Sequence, residues 1–141
     1  MLYTAQTRRA MQIAYAAHHS QFDKSGVPYI FHPFHVAEQL ATEEEIVTAL
    51  LHDVVEDTGI SLQQLAEEGF SPAVIEAVRL LTHDEAVPYL DYIDALKTNP
   101  IARAVKLADL RHNSDLSRQR DASDKTLKRL EKYAAAIKRL E

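Results

Sequence analysis

Residues 49–59 read Ala49-Leu50-Leu51-His52-Asp53-Val54-Val55-Glu56-Asp57-Thr58-Gly59. Wound as a helix at about 100° per residue, with His52 at zero, Glu56 falls near about 40°, Asp53 near about 100° and Asp57 near about 140°. Leu50, Val54, Leu51 and Val55 take the arc from roughly 160° to roughly 300°. One side of such a helix is wholly apolar and must be buried. The other carries an imidazole and three carboxylates. Like charges spaced i,i+4 destabilise a helix, so the crowded carboxylates call for positive compensation. Two readings are open on this stretch alone: a solvated acidic face with His52 at the edge of the core, or a site for a divalent cation. Imidazole with carboxylate suits Mn, Fe, Zn or Ni.

Helix signals dominate on both sides of this stretch. Thr4 can cap a first helix whose Ala10, Ile13, Ala14 and Ala17 recur at helical spacing. Pro33, Pro72 and Pro100 follow His32, Ser71 and Asn99, as first-turn prolines follow a cap, and each opens an apolar-periodic run. Gly59 and Gly69 close helices, and Gly26 lies in a Gly-Pro loop. The last segment puts Leu127, Leu130, Tyr133, Ala134, Ile137 and Leu140 on one face and Lys and Arg opposite. No alternating β-branched run bounded by turns suggests a strand. The expectation is an all-α, irregular bundle of about seven or eight helices. With no repeat or linker, residues 1–141 are expected to form one unit.

Composition narrows the chemistry. With no cysteine there is neither a disulfide nor a thiolate metal site. All three glycines are spent on turns, which excludes a Gly-rich loop around phosphate. The start MLYTAQTRRAMQIA lacks a basic region followed by an unbroken apolar stretch, and no apolar run reaches membrane-spanning length. A cytoplasmic protein without a membrane partner is the expectation. Residues 118–141 hold eight Lys/Arg and four Asp/Glu, whereas the first 117 hold eight and seventeen. An acidic body disfavours a nucleic-acid polymer as partner. The basic tail is either the solvated face of a last helix or an attraction for a small anion nearby.

One helix cannot surround a metal. In the stretch 101–115, Lys106, Asp109 and Asn113 are spaced three and four apart and fall within about 60° on one face. Asp109 has the chemistry of a ligand, flanked by a cation and an amide, although such trios also serve only to steady a helix. His32, held before Pro33 at a corner, can point an imidazole into a cleft. Lys24 and Ser25 sit on the Gly-Pro loop, where substrate groups often bind. His83-Asp84 repeats the His-Asp pair without the acidic follow-up and is set aside. His35 is read as packing or surface. His18 and His19 end the first helix, and His112 points about 100° from Asn113 on an ideal helix.

Three stretches, AYAAHHSQFDKSGVPYIFHPFHVA (14–37), TALLHDVVEDTG (48–59) and VKLADLRHNSDLSR (105–118), together with Leu80-Leu81-Thr82, resemble the HD superfamily of metal-dependent phosphohydrolases. Within it they are most similar to the hydrolase domain of the RelA/SpoT family, which degrades the alarmone (p)ppGpp. The likeness runs over roughly residues 10–118, and several ordered motifs are far more specific than one short pattern.

The resemblance implies one divalent metal ion, manganese in that family, held by His32, His52, Asp53 and Asp109. It implies that Glu56 and Asp57 act on the attacking water, and that Lys24, Ser25, Tyr29, Lys106 and Asn113 line the nucleotide pocket. The reaction would remove the 3′-pyrophosphate and leave GDP or GTP. Two departures stand out. Asp23 occupies the position where the long enzymes carry an Arg that packs on guanine, and Leu110-Arg111-His112-Asn113 replaces their Arg-Leu-His-Asn. Two alternatives therefore stay open: the same chemistry on another phosphorylated nucleotide, such as a nucleoside phosphate or NADPH, and a non-catalytic alarmone-binding module. The partner is a small nucleotide in each case. A homo-oligomer is neither supported nor excluded.

Overall fold

Six consecutive residues, Ile46 to Leu51, are buried, and a helix with no side left for solvent must be enclosed by others. A computed structural model describes residues 1–141 and shows how this is done. In chain order the helices are α1 (Ala5–Ala17), α2 (Phe31–Glu38), α3 (Glu43–Leu51), α4 (Val54–Asp57), α5 (Leu62–Glu67), α6 (Pro72–Leu81), α7 (Tyr89–Lys97), α8 (Pro100–Asn113) and α9 (Asp124–Leu140). A single 3-10 turn spans Leu116–Arg118. Helix α3 is the axis, with α1, α2, α6 and α8 packed around it. Helix α9 closes the bundle against α7 and α8. The fold is all-helical, with one isolated bridge, Phe22 to Pro28, and no strand. The single turn α4 follows α3 after two residues; counted with it, the helices number eight. One core of 26 buried apolar residues draws on every helix.

Helix starts follow local chemistry. Thr4, Thr42 and Ser61 each make a reciprocal capping box with the residue three places on. Ser71, Asn99 and Ser123 accept the N3 backbone N–H, and Pro72 and Pro100 stand at the first helical positions as expected. Gly69, after α5, takes φ +94°, which a residue with a Cβ rarely adopts.

Two expectations change. His32 was read as a cap outside the helix, but α2 begins at Phe31, so His32 and Pro33 both lie in its first turn. The first-turn N–H groups have no intrahelical acceptor, so the missing N–H of Pro33 disturbs nothing. The stretch 49–59 is not one helix: α3 ends at Leu51 and α4 starts at Val54. The His52 ring, through Nδ1, takes the Ala49 carbonyl, which an unbroken helix would offer to the Asp53 N–H. The backbone therefore turns at Asp53 (φ −100°, ψ −3°). Along α9, Tyr133, Ile137 and Leu140 face inward as expected, Leu130 is half-buried outside the core, and Leu127 and Ala134 are exposed.

Candidate metal centre

Four side chains from three parts of the chain meet beside α3. His32 comes from the first turn of α2, His52 and Asp53 from the break after α3, and Asp109 from the middle of α8. One donor atom of each lies within 4.8 Å of the others. That is close to the span of about 4 Å expected of donors placed about 2.1 Å from a shared ion. His32 Nε2 is 2.7 Å from Asp109 Oδ1. His52 Nε2 is 3.1 Å from Asp53 Oδ2 and 3.4 Å from Asp109 Oδ1. Neither contact is aligned as a hydrogen bond, which leaves His52 Nε2 a buried nitrogen without a partner.

Burying a polar nitrogen with nothing to bind is costly, and a divalent cation would resolve it. With Nδ1 donating to the Ala49 carbonyl, the lone pair of a neutral His52 lies on Nε2, facing the two carboxylates. His32 is arranged likewise: its Nδ1 is 2.7 Å from His112 Nδ1, so an Nδ1–H donated there leaves Nε2 free toward Asp109. Tyr29 donates its hydroxyl to Asp53 Oδ2. Lys106 Nζ donates to Asp109 Oδ2 at 3.0 Å and Asn113 Nδ2 to Asp109 Oδ1 at 3.2 Å. Each of the four candidate ligands is thus fixed by a neighbour, as metal ligands generally are.

The charges show the same demand for a cation. Burial opposes protonation of His52, but Asp53 and Asp109 outweigh it and raise its pKa well above the usual histidine value. Burial likewise opposes ionisation of Asp109, but Lys106, His32 and His52 hold it well below the carboxylate range. His112 shifts the other way: burial first, then Arg118, His32 and His35, take its pKa down to about 4. It is neutral near pH 7 and free to accept from His32.

Glu56 and Asp57 follow on α4, and both are exposed. Glu56 Oε1 accepts the backbone N–H of His83 at 2.8 Å, which fixes one carboxylate oxygen. Asp57 is pushed up to about 6 by partial burial and then by Asp53 and Glu56. Neither lines the adjoining cleft.

That cleft, of about 610 Å³, opens onto the cluster through Tyr29, His32 and Asn113. Lys24 and Ser25 also line it, so four of the five residues expected at a substrate pocket are gathered there. Lys106 is not among them; it is half-buried against Asp109 and lies 5.5 Å from the centre of the Tyr92 ring. Arg118, Arg120, Lys125 and Arg129 line the cleft and were not singled out from sequence. Their only trace was the charge excess after residue 117. His112 was also missed, whereas His83, set aside from sequence, stands outside the cluster.

The family model for the HD domain matches residues 10–112. The chain belongs to the HD-domain family. Among its HD-domain relatives, a protein of Mycobacterium leprae named probable GTP pyrophosphokinase is 38% identical over 75% of this chain and 15% of its own length. Human guanosine-3′,5′-bis(diphosphate) 3′-pyrophosphohydrolase MESH1 is 38% identical over 81% of this chain and 71% of its own. A solved structure described as a metazoan ortholog of SpoT that hydrolyses ppGpp superposes with a TM-score of 0.79 at 26% identity, covering 99% of this chain and 87% of that one. The chain spans only 8 to 18% of the length of the long relatives it matches. No helix is long and apolar enough to cross a membrane.

Proposed function

We propose that this HD-family chain is a metal-dependent hydrolase that removes the 3′-pyrophosphate from guanosine 3′,5′-bis(diphosphate) nucleotides, leaving GDP or GTP. The observation that carries this reading is the convergence of His32, His52, Asp53 and Asp109 at the mouth of a cationic cleft. Those four residues would hold one divalent ion, manganese by family resemblance. When bound, such an ion polarises a phosphoryl oxygen and lowers the pKa of water at neutral pH.

The chain's own groups supply the rest. Glu56, with one oxygen fixed by the His83 N–H, keeps the other free to orient the attacking water. Asp57, titrating at about 6, is ionised at neutral pH and still basic enough to take a proton. Lys24, Ser25 and Asn113 line the approach and can donate to phosphate oxygens. Tyr29 and Lys106 hold the carboxylates of Asp53 and Asp109 in place.

The same hydrolysis of another phosphorylated nucleotide is the second reading, favoured by Asp23. Its carboxylate is spent on the loop, accepting from the N–H groups of Ser25 and Val27 at 2.8 and 3.0 Å. It therefore offers no cationic plane to a base.

Glu56→Gln separates an enzyme from a binding module. It is expected to keep metal and slow turnover by about two to four powers of ten, the usual cost of lost acid–base help. Pyrophosphate release with manganese present, alongside metal content, measures both. An unchanged rate would remove Glu56 from the mechanism.

A further inference from the structure

Glu56 is exposed on α4, a helix of only four residues. A long side chain in such a place samples many rotamers unless something outside the helix holds it. Its one hydrogen bond comes from the backbone N–H of His83, at 2.8 Å. That N–H is available because of how α6 ends. Thr82 returns both its N–H and its hydroxyl to the Val78 carbonyl, at 3.0 and 2.8 Å. The chain then turns extended (φ −79°, ψ 111°), so the next N–H leaves the helix and meets the Glu56 carboxylate.

The His83 side chain fixes the loop that offers this N–H. Its ring Nε2–H donates to the Val87 carbonyl at 2.8 Å, which closes residues 83–87 on themselves. Inside the loop the Asp84 carboxylate accepts the Ala86 N–H at 3.0 Å, and the Asp84 carbonyl accepts the Val87 N–H at 2.9 Å. The imidazole also lies against the buried ring of Tyr92, with centres 4.5 Å apart. Tyr92 donates its hydroxyl to the Leu81 carbonyl at 2.6 Å, and the same ring has Lys106 Nζ 5.5 Å from its centre. One buried ring thus adjoins both the loop that holds Glu56 and the lysine that holds Asp109. The His83 ring belongs to no ligand cluster and makes no bond to Glu56; it acts through the backbone.

We propose that His83 is a positioning residue: by bonding to the Val87 carbonyl and packing on Tyr92, its ring locks the loop 82–88 so that its own N–H aims the Glu56 carboxylate at the attacking water. The His83-Asp84 pair, which copies the pair at 52–53, thereby serves the hydrolysis from outside the metal centre. This deepens the proposed function and rests on it.

His83→Ala is expected to lower kcat by about 10- to 100-fold, the cost of displacing a group at the reaction centre by about 1 Å, with KM and manganese affinity unchanged. His83→Gln, whose amide N–H can reach the Val87 carbonyl, largely restores the rate. His83→Phe, which keeps the aromatic contact without the donor, does not. Made in a Glu56→Ala background, His83→Ala slows turnover no further, because a residue that acts through another adds nothing once that other is gone. An unchanged kcat, a loss that appears in KM or manganese affinity instead, equal recovery with Phe, or the same loss with and without Glu56 overturns the assignment. If the unaltered chain hydrolyses no guanosine 3′,5′-bis(diphosphate), the proposed function fails, and the loop is judged by amide hydrogen exchange. Protection of the residue-83 N–H that is lost in Glu56→Ala and in His83→Ala, and kept in His83→Gln, sustains the placement. Free exchange in the unaltered chain, or equal protection in all four proteins, rejects it.

Discussion

Asp109 meets four partners at once. Its Oδ1 faces His32 and accepts from Asn113, its Oδ2 accepts from Lys106, and His52 Nε2 lies 3.4 Å from Oδ1. Asp109→Ala is therefore expected to abolish metal binding and to destabilise the fold. It strands the half-buried Lys106 without a counter-charge, a change that costs up to about 3 kcal/mol, the low end for a fully buried pair; urea denaturation with and without manganese reads both effects. His52 gives a pH dependence with a definite sign. Its pKa is raised in the metal-free protein, so it stays protonated above the usual histidine value, and each ion bound must expel that proton. Manganese affinity is expected to rise about tenfold per pH unit from pH 6.5 up to the raised pKa; a flat calorimetric profile would count against His52 as a ligand. Chemistry and spacing marked His52, Asp53 and Asp109 as candidates, and the family resemblance joined them with His32 into one ligand set. The sequence did not disclose His112, because a helical wheel places that ring relative to α8 alone. Its partner His32 arrives on α2, whose position only the packed structure supplies.

At the scale of elements, α8 brings Lys106, Asp109, His112 and Asn113 to the site, and its start is set by Asn99, whose side chain accepts the Ala102 N–H at 3.0 Å. Asn99→Ala is expected to lower stability by about 1 kcal/mol, seen as a lower Tm with the spectrum of the folded state unchanged. Caps of this kind were legible because they depend on four or five neighbouring residues, as at Thr4, Ser71 and Asn99. The break between α3 and α4 was not. Periodicity carried the helix through His52, and only the ring's bond to the Ala49 carbonyl turns the chain there. That turn makes the site: it brings His52 Nε2 to 3.1 Å from Asp53 Oδ2, though an ideal helix sets consecutive side chains about 100° apart.

Across the whole molecule, a helix buried on every side gathers its neighbours so that stretches more than 70 residues apart, such as His32 and Asp109, touch at 2.7 Å. The apolar patterning and the order of the motifs made the bundle legible. The uneven charge was visible too, but the acidic body and basic tail gave no sign that Lys24 would face Lys125 and Arg129 across a cleft, since that pairing depends on where α9 closes the bundle. Calorimetric titration of manganese into chelator-stripped protein reaches the heart of the matter. One ion per chain is expected, lost in both His52→Ala and Asp109→Ala; no binding at saturating manganese, or unaltered binding in those variants, would contradict a metal centre built from these side chains.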